Sequence, residues 1–227
     1  TSLISPGTFA DEFEKAEKAG EQVVVIVLSA KLSGTYQSAM VAAADYDNVT
    51  VVDSESVAVG ERILVDYALR LKDQGKTAAE IAEELETAKK KVHVIALLDT
   101  LEYLKKGGRI NTTTALAANL LNIKPVMKFG TGKLDVFQKC RGMKKSRKAM
   151  IDAMHRELET TFKKEYDAGK VYLMAASSST AEITADWISQ IRESFPGMDV
   201  MCDDLSLGLS CHIGPDGLGI GCSCMPL

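Results

Sequence analysis

Val23-Val24-Val25-Ile26-Val27-Leu28-Ser29-Ala30-Lys31-Leu32-Ser33-Gly34-Thr35-Tyr36-Gln37-Ser38-Ala39 is the stretch from which the rest of the chain is read. Six β-branched or aliphatic residues run unbroken into a small polar turn, and helical spacing follows. An unbroken apolar run suits a strand buried on both faces, as in a parallel sheet, better than an amphipathic strand. Ser33-Gly34-Thr35 is then a strand-to-helix turn, with hydroxyls at an N-cap and Gly34 allowing close backbone approach. The free N–H groups of a helix start, with two hydroxyls, make a site for a carboxylate or phosphate. A simply capped helix would use the same residues, so this stretch alone leaves both readings open.

Working outward, Ser5-Pro6 opens a helix with Phe9, Phe13 and Ala16 on its apolar face, and Gly20 closes it. Residues 49–52 form a second buried strand ending in Asp53-Ser54, and a long helix over about 60–72 is closed by Gly75. Thr77 and Glu80 have capping-box spacing and open a helix running to about Lys90. Such alternation predicts an α/β fold with a parallel, doubly wound sheet, whose ligands bind beyond the carboxyl ends of the strands. Ser33, Gly34 and Thr35 stand at one such end, and Asp53 and Ser54 at another.

Lys89-Lys90-Lys91 is a charged break, which sets the expected domains at 1–91 and 92–227. Beyond it come a strand over 92–98, a short helix over 100–106, and a Gly107-Gly108-Arg109 turn that throws Arg109 outward. A helix over about 113–121 follows, then a hairpin of 124–129 and 134–138 joined by Gly130-Thr131-Gly132. The basic cluster Lys139, Arg141, Lys144, Lys145, Arg147 and Lys148 leads a helix reaching about Tyr166. Strands over 171–175 and 198–202 flank a helix capped within Ser177-Ser178-Ser179-Thr180, with Ile183, Trp187, Ile191 and Phe195 on its face. The chain closes on a strand–turn, His212 to Ile220. This second half is expected to be an α+β layer of mixed strands with helices on one face.

The 227 residues carry a net charge of −4 with no basic stripe interleaved with aromatics, which argues against a nucleic-acid partner. No apolar run approaches the roughly 18 residues of a membrane span, and no signal peptide is evident. Five cysteines, an odd count in a chain of ordinary size, indicate reduced cytoplasmic thiols rather than a disulfide scaffold. Cys211, His212, Cys222 and Cys224 match no standard zinc spacing, so no metal is expected.

The opening Thr1-Ser2-Leu3-Ile4-Ser5-Pro6 followed by Ser33-Gly34-Thr35-Tyr36-Gln37-Ser38-Ala39 resembles the DegV family. The likeness continues through Val52-Asp53-Ser54, the run from Leu101 to Ile110 containing Gly107-Gly108-Arg109, Ile123-Lys124-Pro125, Arg141 and His212-Ile213-Gly214-Pro215, in the family's order across the whole chain. The resemblance implies two α/β domains clasping one long-chain fatty acid, its tail in an apolar tunnel. It also implies a binding subunit of a bacterial fatty acid kinase, which presents the acid to a separate kinase subunit and does no chemistry itself.

Carried over by motif, Thr1, Ser2, Ser33, Gly34, Thr35 and His212 are the expected carboxylate site. Arg109 and Arg141 are expected near the head group or on the kinase-facing surface. The resemblance further implies a strand–loop segment with an Asp-Ser pair ahead of the Thr-Ser motif, which is expected to complete the first domain. Ile4, Ala58, Arg62 and the Gly221-Cys222-Ser223-Cys224 tail depart from the family pattern, at positions that bear on tunnel shape rather than on the carboxylate.

Leu116, Leu120, Leu121, Ile123, Val126 and Met127 are the tunnel candidates, although ordinary core would show the same spacing. His212 equally reads as a satisfied structural histidine. The basic cluster reads either as a solvated helix start or as a face for an acidic partner or an anionic membrane surface. The opposing functional class is an acyl- or phosphoryl-transfer enzyme with Ser33 as nucleophile and His212 as base. The sequence contains neither a Gly-x-Ser-x-Gly elbow nor a Walker loop. A fatty acid as ligand, no cofactor, and no catalytic residue are therefore the expectation.

Overall fold

In the computed structural model, residues 2–110, 123–130 and 132–225 are described. The apolar run becomes β1 (Val23–Val27), paired in parallel with β2 (Val49–Asp53) in the register Val23↔Val49 to Val27↔Asp53. Side chains alternate across such a ribbon. Val24, Ile26 and Val52 join one core with α3 (Val59–Asp73) and α4 (Ala78–Ala88). Helices α1 (Pro6–Ala19) and α2 (Thr35–Ala43) pack together, and α2 also packs on the strand pair.

The helix ends follow local chemistry. Ser5 accepts from the Thr8 N–H at 3.2 Å ahead of Pro6, and Gly20 closes α1 in the left-handed region at φ 70°. Thr77 and Glu80 form the reciprocal capping box, with Thr77 N–H to Glu80 Oε2 at 2.8 Å and Glu80 N–H to Thr77 Oγ1 at 3.3 Å. Gly60 lets α3 lie close on the following sheet, because a Cβ there would meet Ser56 Oγ at 2.1 Å and Val94 at 3.0 Å.

The second sheet has the order β5-β4-β3-β8-β6-β7, from β3 (Val92–Leu97), β4 (Ile123–Gly130), β5 (Lys133–Arg141), β6 (Tyr172–Ser177), β7 (Val200–Asp204) and β8 (Leu218–Ser223). Its pairs are antiparallel except β6–β7. One face, with Ile95, Leu97, Leu173 and Ile220, is covered by α6 (Met143–Glu159) and α8 (Ala181–Ser194) through Met150, Met154, Trp187 and Ile191. A parallel sheet and a mixed sheet in an α/β fold therefore stand as expected.

Several details differ from the sequence reading. The second sheet carries helices on both faces, because α3 from the first half packs on Val92, Val94, Met174 and Ala176. Its two central strands are β3 and β8, and β8 reaches Ser223, beyond the closing strand–turn read over 212–220. Residues 207–213 form a helix, α9 (Leu207–Ile213), which puts His212 on a helix rather than in a strand–turn. The basic helix stops at Glu159 and resumes as α7 (Lys163–Asp167), with Phe162 between them buried edge-on against His93. Lys89, inside the supposed charged break, is 8% exposed. Its ammonium holds Glu86 at 2.7 Å, Glu55 at 3.0 Å and the Asp53 carbonyl at 3.1 Å. The predicted helix over 113–121 lies outside the described residues.

Candidate functional site

A cavity of about 540 Å³ lies between the segments that follow β1 and β2 and one side of the mixed sheet. Its floor is the side of the mixed sheet opposite α6 and α8. There Ala96, Gly219 and Ala176 stand abreast on β3, β8 and β6, with Val94 in the next row. Gly219 adds no side chain to this floor, and a Cβ there would stand in ordinary contact with the Ala176 Cβ at 3.4 Å. Phe129 and Leu134 of the hairpin, Leu98 and Leu104 around α5 (Glu102–Lys106), and Leu28 and Leu32 after β1 build the sides. Leu209 and Ile213 of α9 complete them. The wall is apolar over most of its extent, which is the character of a site for an apolar ligand.

The polar groups gather where Ser33, Thr35, Arg109 and His212 line the same cavity. The N-cap residue of α2 is Gly34, which gives no side-chain cap. Ser33 Oγ takes over by accepting the Thr35 N–H at 3.2 Å and lying 2.9 Å from Thr35 Oγ1. Gly34 is also where the N-terminal segment crosses, a Cβ there standing 3.2 Å from Leu3. Ser38 Oγ fixes that segment by donating to the Ile4 carbonyl at 2.6 Å. Arg109 Nε donates to the Leu32 carbonyl at 3.0 Å and Nη1 to the Gly107 carbonyl, tying the glycine turn to the strand-to-helix turn after β1.

Helix α9 meets α5 through two glycines. Gly107 leaves room for the imidazole of His212, and Gly214, at φ 81°, for the ring of Tyr103. Burial, and then the charge of Arg109, hold His212 below its ordinary value of 6.5. Two hydroxyls, a guanidinium and an imidazole, brought from three separate segments to one cavity, can together receive an anionic head group. Ser33 hydrogen-bonds to Thr35, and Glu61 is the acidic residue among the described cavity-lining side chains.

A DegV family model matches residues 1–224. The chain belongs to the DegV family. A DegV domain-containing protein of Clostridium perfringens is 31% identical over 227 residues, 97% of this chain and 76% of that protein. One from Caldanaerobacter subterraneus is 30% identical over 97% of this chain and 77% of its own length. Among solved structures, a DegV family protein from Thermus thermophilus, reported for its fatty acid binding, matches with a TM-score of 0.87. It is 29% identical and covers 99% of this chain and 78% of its own. A DegV protein from Ruminococcus gnavus refined with vaccenic acid matches at 0.80, with 26% identity over 97% of this chain and 77% of its own.

Set on this DegV frame, Ser2, Ser33, Thr35, Arg109 and His212 come together, with Gly34 beside them. Thr1, Leu116, Leu120 and Leu121 lie outside the described residues. The remaining tunnel candidates are corrected. Val126 points to the α6 side of the sheet. Met127 faces the cavity side but is buried behind its wall with Leu98, Leu101 and Leu104. Ile123 stands opposite Arg141 at the start of β4 and does not line the cavity. The three described candidates of this supposed wall lie on one strand, whose alternation puts Val126 and Met127 on opposite faces. Arg141 is exposed at the end of β5 and does not line the cavity. The wall residues missed by the sequence reading, such as Val94, Ala96, Leu209 and Ile213, sit on a strand buried on both sides and on an unrecognised helix.

Proposed function

We propose that this chain binds one long-chain fatty acid, carboxylate toward Ser33, Thr35, Arg109 and His212 and acyl chain along the apolar cavity. The observation that carries this reading is one cavity with its hydroxyls, imidazole and guanidinium gathered together and a predominantly aliphatic wall elsewhere. Burial of each methylene contributes roughly 0.8 kcal/mol. A hydrogen bond to the charged head contributes about 1.5–3 kcal/mol. The tail therefore supplies most of the affinity and the polar groups set orientation. Fatty acids in DegV structures of similar fold support the same assignment.

The role that suits such a site is carriage without catalysis. Residues up to about Lys91 and those beyond act as two lobes around the ligand, and Arg109, exposed beside the head group, leaves the carboxylate reachable from outside. Presentation to a separate fatty acid kinase subunit in a bacterial cytoplasm is the activity this reading assigns. Arg141 and the basic start of α6 form the docking face, and contact with an anionic membrane surface is transient. Native mass spectrometry of the purified protein, followed by denaturation and lipid identification, tests the first step. A stoichiometric long-chain acid is expected. A protein that is empty and takes up neither added oleate nor palmitate would overturn the assignment.

A further inference from the structure

The cavity wall contains one residue that a saturated or simply unsaturated tail does not use. Glu61, in the first turn of α3, lines the cavity away from the head-group cluster. Ala58, Val59, Glu61, Leu205, Ser206 and Leu209 also line a shallower groove outside, which none of Ser33, Thr35, Arg109 or His212 touches. Glu61 and Ser206 thus mark the opposite end of the site. Ser206 caps α9 and His212 lies in its last turn, six residues on, a helix rise of roughly 9 Å.

The cations near Glu61 are engaged elsewhere. Arg62, its neighbour on α3, binds Asp203 at 2.8 Å and lies 3.6 Å from Asp66. Asp203 and Asp204, the charged residues across the groove on β7, are acidic. Among the described residues no hydrogen bond or ion pair reaches the Glu61 carboxyl, and burial pushes it up to about 7. A methylene chain laid against it would strip water from a polar group and return nothing. A hydroxyl would return two bonds. Ser206 Oγ accepts the Leu209 N–H at 3.4 Å, which leaves its own proton to donate, while the Glu61 carboxylate accepts.

We propose that the acyl chain accepted here bears a hydroxyl well along its length, seated between Glu61 and Ser206. The ligand class is therefore a hydroxylated long-chain fatty acid, an assignment that rests on the fatty-acid reading above. The probes are oleic and ricinoleic acids, which differ by one chain hydroxyl, titrated into the delipidated protein and its E61L and E61Q variants. Wild type is expected to bind ricinoleate about tenfold or more tightly than oleate, the worth of a hydrogen bond to a charged group. E61L removes or inverts the preference while raising oleate affinity. E61Q, whose amide still pairs with a hydroxyl, retains most of it. Uptake of both acids with no preference in wild type and an unchanged ratio in E61L overturns the hydroxyl assignment alone. Uptake of neither overturns fatty acid binding itself, and this proposal with it.

Discussion

The imidazole of His212 lies so close to Gly107 that a Cβ on residue 107 would stand 2.2 Å from Nδ1 and 2.8 Å from Cε1. Gly107 has an ordinary φ of −77°, so its glycine is required by space and not by backbone conformation. The Gly-Gly-Arg turn and the His-Ile-Gly-Pro segment, far apart in sequence, are two halves of one contact. Gly107→Ala should therefore overpack the α5–α9 junction at about 1–3 kcal/mol and displace His212 from the site. Fatty acid affinity should fall with it. In the His212→Ala background the methyl loses its clash with the imidazole and keeps only the tight 3.2 Å approach to the Tyr103 carbonyl, so the stability losses should be non-additive in a double-mutant cycle by thermal melting. Additive losses would mean the two residues do not share the contact.

His212 gives the site a pH dependence of defined sign. Burial and Arg109 depress its pKa, so its contribution to stability is present above 6.5 and is lost as pH falls through the lower folded-state value. A bound carboxylate reverses the balance by favouring imidazolium. Binding should take up protons, and affinity should rise as pH falls below 6.5, with the dependence flattened in His212→Gln. Calorimetry in two buffers of different ionisation enthalpy measures the proton uptake directly. Proton release on binding would contradict a carboxylate beside the ring.

What could be read in the sequence was whatever local chemistry dictates. The apolar run before Ser33, the Ser5-Pro6 start and the Thr77–Glu80 box each carry their structure within a few residues. The β8 half of the sheet's centre was read only as a closing strand–turn, because Gly219 and Gly221 weaken its strand signal. An added Cβ on Gly221 would meet the His93 carbonyl at 3.0 Å and Met174 at 3.1 Å. Polar residues of the site were legible as motifs, whereas its walls were not, since β3 is buried on both sides and periodicity does not say which side faces a cavity. Lys89 shows the same limit for charge. Its run reads as a charged break, yet partners 34 and 36 positions upstream, Glu55 and Asp53, hold it inside.

Ser33 supplies a direct test of carriage against catalysis. Its hydroxyl accepts the Thr35 N–H, so Ser33→Ala should lower stability by about 1 kcal/mol or less, the range of a single helix-start hydrogen bond. Loss of its bond to the carboxylate should weaken fatty acid binding by roughly tenfold to a hundredfold. Thr35, adjacent and 8% exposed, retains part of the donor set. Equilibrium binding and intact-mass analysis after incubation with an activated acyl donor provide the two readouts. A covalent adduct on Ser33 would turn the assignment to the transferase class.

Glu61 opposes His212 in its effect on stability. Burial raises its carboxyl from 4.5 to about 7, so the native state binds the proton more tightly than the unfolded chain does. Its contribution is complete below 4.5 and is lost as pH rises through 7, with a slope of at most about 1.4 kcal/mol per pH unit between the two values. Because His212 acts in the other direction near the same range, the wild-type curve alone does not isolate either group. The difference between wild type and Glu61→Gln does, since Arg62, Asp66, Asp203 and Asp204 remain in both proteins. Urea midpoints across that window should show wild type losing ground to the variant with every step toward neutrality. Parallel curves would show that the carboxyl titrates as it does in water, and that the far end of the cavity does not hold it dry.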